Sequence, residues 1–237
     1  MLERFYLKEK LFRIAGLRYS KSRERVLLIF PGYFQSKDTK IMRRLGDYLF
    51  EFFDIICIDT PGHGKSWGFF TYGSYQEEKA FNFTVDYAKR LYPKIGVLAF
   101  SMGAMVAVNC ARNDLNTLIL VSCPYDFYKI EFKFLSPRAI LLGLKSLDLN
   151  AGALPGYPFF PKKRPIEEIS KIKTSILFLH GDKDPIISHK HTIKLAENFS
   201  GEKRVYIFKD GNHAEDLFRT YPEIFLKEVI SWLEKFL

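Results

Sequence analysis

Short apolar runs and longer amphipathic stretches alternate along most of the chain, and the two periods predict different elements. Val26 to Phe30 is a continuous apolar run stopped by Pro31-Gly32, the pattern of a strand buried on both faces. Similar runs recur at Asp54 to Asp59, Ile95 to Phe100, Leu118 to Val121, Ile176 to Leu179 and Val205 to Phe208. Between them, Ile41, Leu45, Tyr48, Leu49 and Phe52 recur at helical spacing. Further helices are predicted over Gln76 to Leu91, Met102 to Arg112 and Ile193 to Phe199, with a closing helix from Ala214 to Phe236. Ahead of this series, Phe5 to Leu7 and Leu11 to Tyr19 flank the charged turn Lys8-Glu9-Lys10 and predict an antiparallel hairpin. Apolar strands alternating with amphipathic helices predict an α/β fold, with a mostly parallel sheet covered on both faces.

One stretch breaks the alternation. About fifty residues separate the strand ending near Ser122 from the strand at Ile176, far more than an α/β connection usually takes. Five of the eleven prolines fall between Tyr125 and Ile172. Ser136-Pro137, just ahead of A-I-L-L-G-L, predicts an N-cap, a proline at the first helical position and a short apolar helix. Residues 125–172 are therefore expected to lie over the sheet as a cap insertion, with residues 1–124 and 173–237 forming the core.

Composition narrows the class. The 237 residues suit one core, and 47% hydrophobic with 27% charged residues excludes disorder and collagen-like repeats. Lys plus Arg exceeds Asp plus Glu by enough to give a net charge of +9. The basic residues are scattered, with only short clusters such as Lys162-Lys163-Arg164, which predicts a solvated surface and no nucleic-acid partner. Cys57, Cys110 and Cys123 cannot form a disulfide framework and match no zinc spacing. All three sit in apolar segments, as buried free thiols of a reducing compartment do. The N-terminal residues lack a signal-peptide core, and no run approaches the ~18 apolar residues of a membrane helix. The expectation is a soluble, cytoplasmic protein with no membrane span.

Candidate chemistry concentrates at four places. A-F-S-M-G, Ala99 to Gly103, puts Ser101 between a strand and a helix, with small residues two before and two after to permit a sharp turn. The turn lifts the hydroxyl clear of the sheet beside a helix N-terminus, where negative charge is favoured. A serine hydroxyl needs a base, and the base needs an orienting acid. Of the five histidines, His213 in D-G-N-H follows a strand on a flexible turn and suits the base. His180 suits a structural turn, His63 lies in a glycine-rich loop, and His189-x-His191 lacks the spacing that aims two ligands at one metal; no metal is expected. In H-G-D-K-D-P-I the favoured acid is Asp184, with Asp182 forming an Asx-type turn and Asp126 as the alternative acid. The order Ser101, Asp184, His213 is the nucleophile–acid–base order of one sheet. Finally, P-G-Y-F-Q-S, Pro31 to Ser36, follows a strand. Its Tyr33 or Phe34 N–H would join that of Met102 as an oxyanion donor. The plain alternative there is a strand-to-helix turn capped by Ser36.

Together these residues resemble the α/β-hydrolase family over nearly the whole chain. The P-G-Y-F turn stands where the family often has His-Gly, with Pro31 as a departure. D-T-P-G-H-G-K-S, Asp59 to Ser66, is similar to the family's Asp-x-Pro-Gly-x-Gly-x-Ser loop. The elbow carries Ala99 in place of its first glycine, and the acid and base loops complete the set. The resemblance implies an eight-stranded, mostly parallel sheet with helices on both faces and a small cap after the sixth strand. It maps Ser101, Asp184 and His213 onto the triad. Dehalogenases and epoxide hydrolases of this fold carry an aspartate at the elbow, so Ser101 points to acyl-bond hydrolysis, most simply of a small-molecule carboxylic ester, with no cofactor. Other acyl chemistry on the same triad (thioester, amide, carbon–carbon cleavage or perhydrolysis) and a non-catalytic binder are the alternatives. Phe34, Trp67, Tyr125, Phe127 and Tyr128 are the expected substrate contacts, with Phe69, Phe70, Tyr72, Phe132 and Phe134 as further wall candidates.

Overall fold

The apolar runs become eight strands in the computed structural model, which describes residues 1–8, 10, 12–130, 136–146, 148–154, 156–157 and 159–237. These are β1 (Leu2–Lys8), β2 (Arg13–Tyr19), β3 (Arg25–Phe30), β4 (Asp54–Ile58), β5 (Lys94–Phe100), β6 (Thr117–Val121), β7 (Ser175–Gly181) and β8 (Lys203–Phe208). They form one sheet in the order β1-β2-β4-β3-β5-β6-β7-β8. Strand β2 pairs antiparallel with both β1 and β4, and every other pair is parallel. The predicted hairpin is therefore present at the edge, although Glu9 and Leu11, which belong to that expectation, lie outside the described residues.

Eight helices accompany the strands among the described residues: α1 (Lys40–Phe50), α2 (Tyr75–Lys89), α3 (Met102–Cys110), α4 (Pro137–Ser146), α5 (Pro165–Glu168), α6 (Lys190–Glu197), α7 (Asp216–Thr220) and α8 (Pro222–Phe236). Side chains alternate across a strand, so a strand buried on both faces feeds two separate layers. Leu28, Phe30, Ile56 and Val97 pack with Phe81 and Val85 of α2 and Ala107 of α3. Leu27, Ile29, Ile55 and Leu98 pack on the opposite face with Leu45 and Leu49 of α1 and Val229 and Trp232 of α8. This two-sided burial is why the central strands read as unbroken apolar runs.

The end of the chain corrects one expectation. The single closing helix is two helices, separated at Tyr221, whose φ of −127° and ψ of 55° leave the helical region. Pro222 lacks an N–H and crowds the residue before it, so it starts α8 and cannot continue α7.

Between β6 and β7 the chain leaves the sheet as a cap-like insertion carrying α4, α5 and two short 3-10 turns, Phe127–Lys129 and Ile169–Lys171. Helix α4 begins at Pro137 with Ser136 Oγ accepting the Ala139 N–H at 3.2 Å, as the sequence predicts. The insertion is tied to loops at the C-terminal ends of the parallel strands. Ser36 Oγ donates to Asn150 O at 2.6 Å, Leu154 N–H to Gly62 O at 2.8 Å, and Arg138 Nε to Asn212 Oδ1 at 2.8 Å.

A buried ion pair joins two of those loops. Lys37 Nζ lies 2.7 Å from Asp59 Oδ2 and 2.9 Å from Asp38 Oδ2, and neither Lys37 nor Asp59 reaches solvent. Asp59 also accepts the backbone N–H of Lys37 and of Lys65, at 2.7 and 2.8 Å. Burial pushes the Asp59 carboxyl up, and the Lys37 ammonium opposes that rise. Removing one partner of a buried pair strands the other, at a cost of about 3–5 kcal/mol. Lys37→Met is accordingly expected to lower the unfolding free energy by that much, with a lower urea midpoint, and Lys37→Met with Asp59→Asn to recover most of it. A Lys37→Met midpoint equal to wild type would contradict the reading.

Candidate active site

The turn after β5 is built for close approach. Ser101 alone joins β5 to α3, with φ 50° and ψ −112°, a conformation that costs an L-residue strain and persists only where the surroundings enforce it. The enforcement is visible. Ser101 N–H donates to Val121 O at 2.8 Å, and Ser101 O accepts from Met105 N–H at 3.0 Å. A Cβ on Gly103 would lie 2.6 Å from Phe30 O and 2.8 Å from Pro31 O, so only glycine lets α3 pass the end of β3. Ala99 sits inside β5, in register with Phe30 and Leu120 and without positive φ, so the missing first glycine leaves the turn intact.

Two loops bring Asp184 and His213 to this serine. Asp184 follows β7, and its Oδ1 accepts the N–H groups of Ile186 and Ile187 at 2.8 and 2.9 Å. Its Oδ2 lies 2.6 Å from His213 Nδ1, and His213 Nε2 lies 2.9 Å from Ser101 Oγ. A carboxylate only accepts, so Nδ1 carries the hydrogen and Nε2 accepts from the serine hydroxyl. The base loop is held by Ser122 Oγ, which accepts the Ala214 N–H at 2.9 Å, and by Lys183 N–H donating to Gly211 O at 3.0 Å. The two loops touch through glycines: a Cβ on Gly181 would fall 2.3 Å from the Gly211 carbonyl carbon. Burial works against the Asp184 charge, yet His213 and His180 hold it well below the usual carboxylate range. Burial likewise works against protonated His213, and Asp184 overcomes it, raising the imidazole above its ordinary value.

His180 is more than a turn residue. It is fully buried, with Nε2 3.0 Å from Asp184 Oδ2 and 2.9 Å from Ile187 O, and Nδ1 2.7 Å from Thr192 Oγ1. Two acceptors at Nε2 require the hydrogen there, so His180 buttresses the acid from behind. The other candidates lie elsewhere. Asp126 caps a 3-10 turn through Tyr128 N–H at 2.9 Å and pairs with Arg164 Nε at 2.8 Å, away from His213. Asp182 makes no Asx-type turn among the described residues; its Oδ1 is buried without a partner. His63 is buried against Thr60 and Pro61, and burial pushes it down to about 4. His191 Nδ1 accepts the Tyr125 N–H at 3.2 Å.

The turn after β3 runs beside the elbow, where a Cβ on Gly32 would lie 3.2 Å from Ser101 Cβ. Gln35 N–H closes the turn onto Gly32 O at 3.3 Å, while the Tyr33 N–H makes none of its hydrogen bonds. Met102 starts α3, so its N–H has no partner within the helix. Thr39, not Ser36, is the N-cap of α1.

Ser101, Met102, His213, Gly32 and Tyr33 border one cavity of about 390 Å³. Of the predicted contacts, Phe34 and Phe127 line it, joined by Phe70 and Tyr72. Trp67, Tyr125 and Tyr128 do not. Trp67 is 62% exposed and bridges its backbone to Arg13 at 2.8 and 2.9 Å, Tyr125 stacks on His191, and Tyr128 packs edge-on against Phe127. Phe132 and Phe134 lie outside the described residues. Met105, Ile186, Ile187 and Glu215 border the cavity without having been singled out in the sequence; the first three are ordinary apolar residues that carry no local signal.

Comparison with known proteins bears on this geometry. A family model described as serine hydrolase (FSH1) matches residues 58–214, a span that contains Ser101, Asp184 and His213. The uncharacterized protein YqkD of Bacillus subtilis (strain 168) is 27% identical over 173 residues, 68% of this chain and 56% of that protein, so the chain spans a little over half the length of that relative. The esterase Pf2001 of Pyrococcus furiosus superposes with a TM-score of 0.80 at 19% identity, covering 100% of this chain and 91% of that one. Est1E of Butyrivibrio proteoclasticus, solved with ferulic acid bound, gives 0.72 at 14% identity and covers 98% of each chain. At such identities the two structures show the shared α/β-hydrolase fold. With the family model matching well over half its length, the chain belongs to the serine hydrolase (FSH1) family.

Proposed function

We propose that this serine hydrolase is a carboxylesterase acting on small to medium acyl or aryl esters. The observation that carries the reading is the continuous hydrogen-bond path from Ser101 Oγ through His213 to Asp184 at the edge of an apolar cavity. Ser101 Oγ attacks the ester carbonyl carbon while His213 Nε2 takes its proton. The electron pair of the carbonyl moves to oxygen, where the N–H groups of Met102 and Tyr33 or Phe34 stabilise it; one such donor contributes about 3 kcal/mol in related chemistry. Collapse breaks the bond to the alcohol, which leaves with the proton from His213. Water repeats the sequence on the acyl-enzyme, releasing the acid and restoring Ser101. Asp184 keeps the imidazole in the tautomer that accepts at Nε2 and favours the imidazolium that forms. The wall of Phe34, Phe70, Met105, Phe127 and Ile186 suits an acyl or aryl group rather than a sugar.

Two outcomes are expected with p-nitrophenyl butyrate. Asp184→Asn lowers kcat by about 10⁴-fold, as removal of the orienting charge does in a Ser-His-Asp site, while Asp126→Asn stays near the wild-type rate. Loss in the Asp126 variant alone would assign the acid elsewhere, and a wild-type rate equal to that of Ser101→Ala would contradict the esterase reading. The pH profile carries a sign. Only neutral His213 takes the serine proton, and Asp184 raises its pKa, so kcat/KM rises with pH through a midpoint above the ordinary ~6.5 of imidazole. An acid limb centred well below that value would contradict the pairing.

A further inference from the structure

One carboxyl at the cavity is not used by the serine chemistry. Glu215 lies two residues beyond His213, is buried, and borders the same cavity as Ser101. Its Oε1 accepts from Gln35 Nε2 at 2.7 Å, a buried bond that joins the base loop to the turn after β3. The accept-only carboxylate sets the amide with its nitrogen toward it, and Gln35 Oε1 lies 2.9 Å from the Thr39 hydroxyl. Besides Gln35, the carboxyl accepts from its own backbone N–H. The surrounding wall is apolar, including Phe34, Phe70, Met105, Phe127 and Ile187. Burial pushes the Glu215 carboxyl up, and His213 and Arg219 oppose the rise. A carboxylate has acceptor capacity beyond these two donors, and a donor on a molecule bound in the cavity takes it up.

The wall around Glu215 selects the kind of donor. Burying an ammonium at the apolar wall of the Ser101 cavity costs more than burying a hydroxyl, so a neutral hydroxyl is the fitting donor. We propose that Glu215 forms a polar subsite that accepts a hydrogen bond from a hydroxyl group on the substrate, so that hydroxyl-bearing esters are preferred to their alkyl isosteres. The inference rests on the esterase reading and adds the substrate class to it. Gln35 is then the positioning residue that holds the carboxylate at the wall.

The test uses the full chain and two matched pairs of esters, each normalised to its own rate in alkali. On the acyl side the pair is p-nitrophenyl 3-hydroxybutyrate and p-nitrophenyl 3-methylbutyrate; on the alcohol side it is 2-hydroxyethyl butyrate and propyl butyrate. Wild type is expected to favour the hydroxyl member of at least one pair by about tenfold in kcat/KM, the scale of a hydrogen bond to a charged acceptor. Glu215→Leu, or Glu215→Met if the first fails to fold, is expected to bring that ratio to about one while the alkyl ester is still turned over. A purely structural role for Glu215 would lower both members equally and keep the ratio, and that result overturns the proposal. A wild-type ratio near one in both pairs overturns it as well. Alkyl esters turned over no faster than by Ser101→Ala would instead bring down the esterase reading, and the subsite with it.

Discussion

Asp184 is buried at the end of β7, and a carboxylate in that position keeps its charge only when donors meet both oxygens. It has four: two backbone N–H groups from its own loop, His180 from β7 and His213 from the base loop. Each donor belongs to a segment that must therefore arrive in one arrangement. The acid loop turns back at Ile186 and Ile187, His180 is pinned by Thr192, and His213 is aimed at Ser101. Satisfying one buried charge thus orients His213 and fixes the loops around it.

The serine side of the site depends on close backbone approach instead of charge. Ser101 holds a left-handed conformation because strands β3, β5 and β6 end at the same level and leave α3 a single path. Gly103 permits that path, and the contact of Gly181 with Gly211 permits the equivalent approach of the acid and base loops. Strain in the backbone at Ser101 is borne by the sheet, whose two covered faces leave the strand ends little freedom. The cap-like insertion closes over these ends through the Ser36 hydroxyl in the loop after β3 and backbone hydrogen bonds to the loop after β4. The site is accordingly a property of the sheet edge, and the insertion shapes the space above it.

What was legible in the sequence follows this division. Strand runs, the serine turn and the loops bearing Asp184 and His213 are local patterns, and local patterns carry backbone geometry. The proline that splits α7 from α8 was also local, but the apolar spacing on either side of it reads as continuous. Wall residues were harder. Phe34 and Phe127 reach the cavity, whereas Tyr125 turns to His191 and Trp67 and Tyr128 turn to solvent, because an aromatic residue in a loop carries no sign of the face it will take. His180 and Glu215 act through partners 12 and 180 residues away in sequence, Thr192 and Gln35. No spacing within either segment records such pairings.

A Ser101 hydroxyl placed beside His213 is expected to be a reactive nucleophile. Intact-mass analysis after treatment with a fluorophosphonate, followed by peptide mapping, tests it most directly. One adduct per chain is expected, on Ser101, with labelling that fails in His213→Ala. An unmodified chain, or an adduct on any other residue, would contradict it.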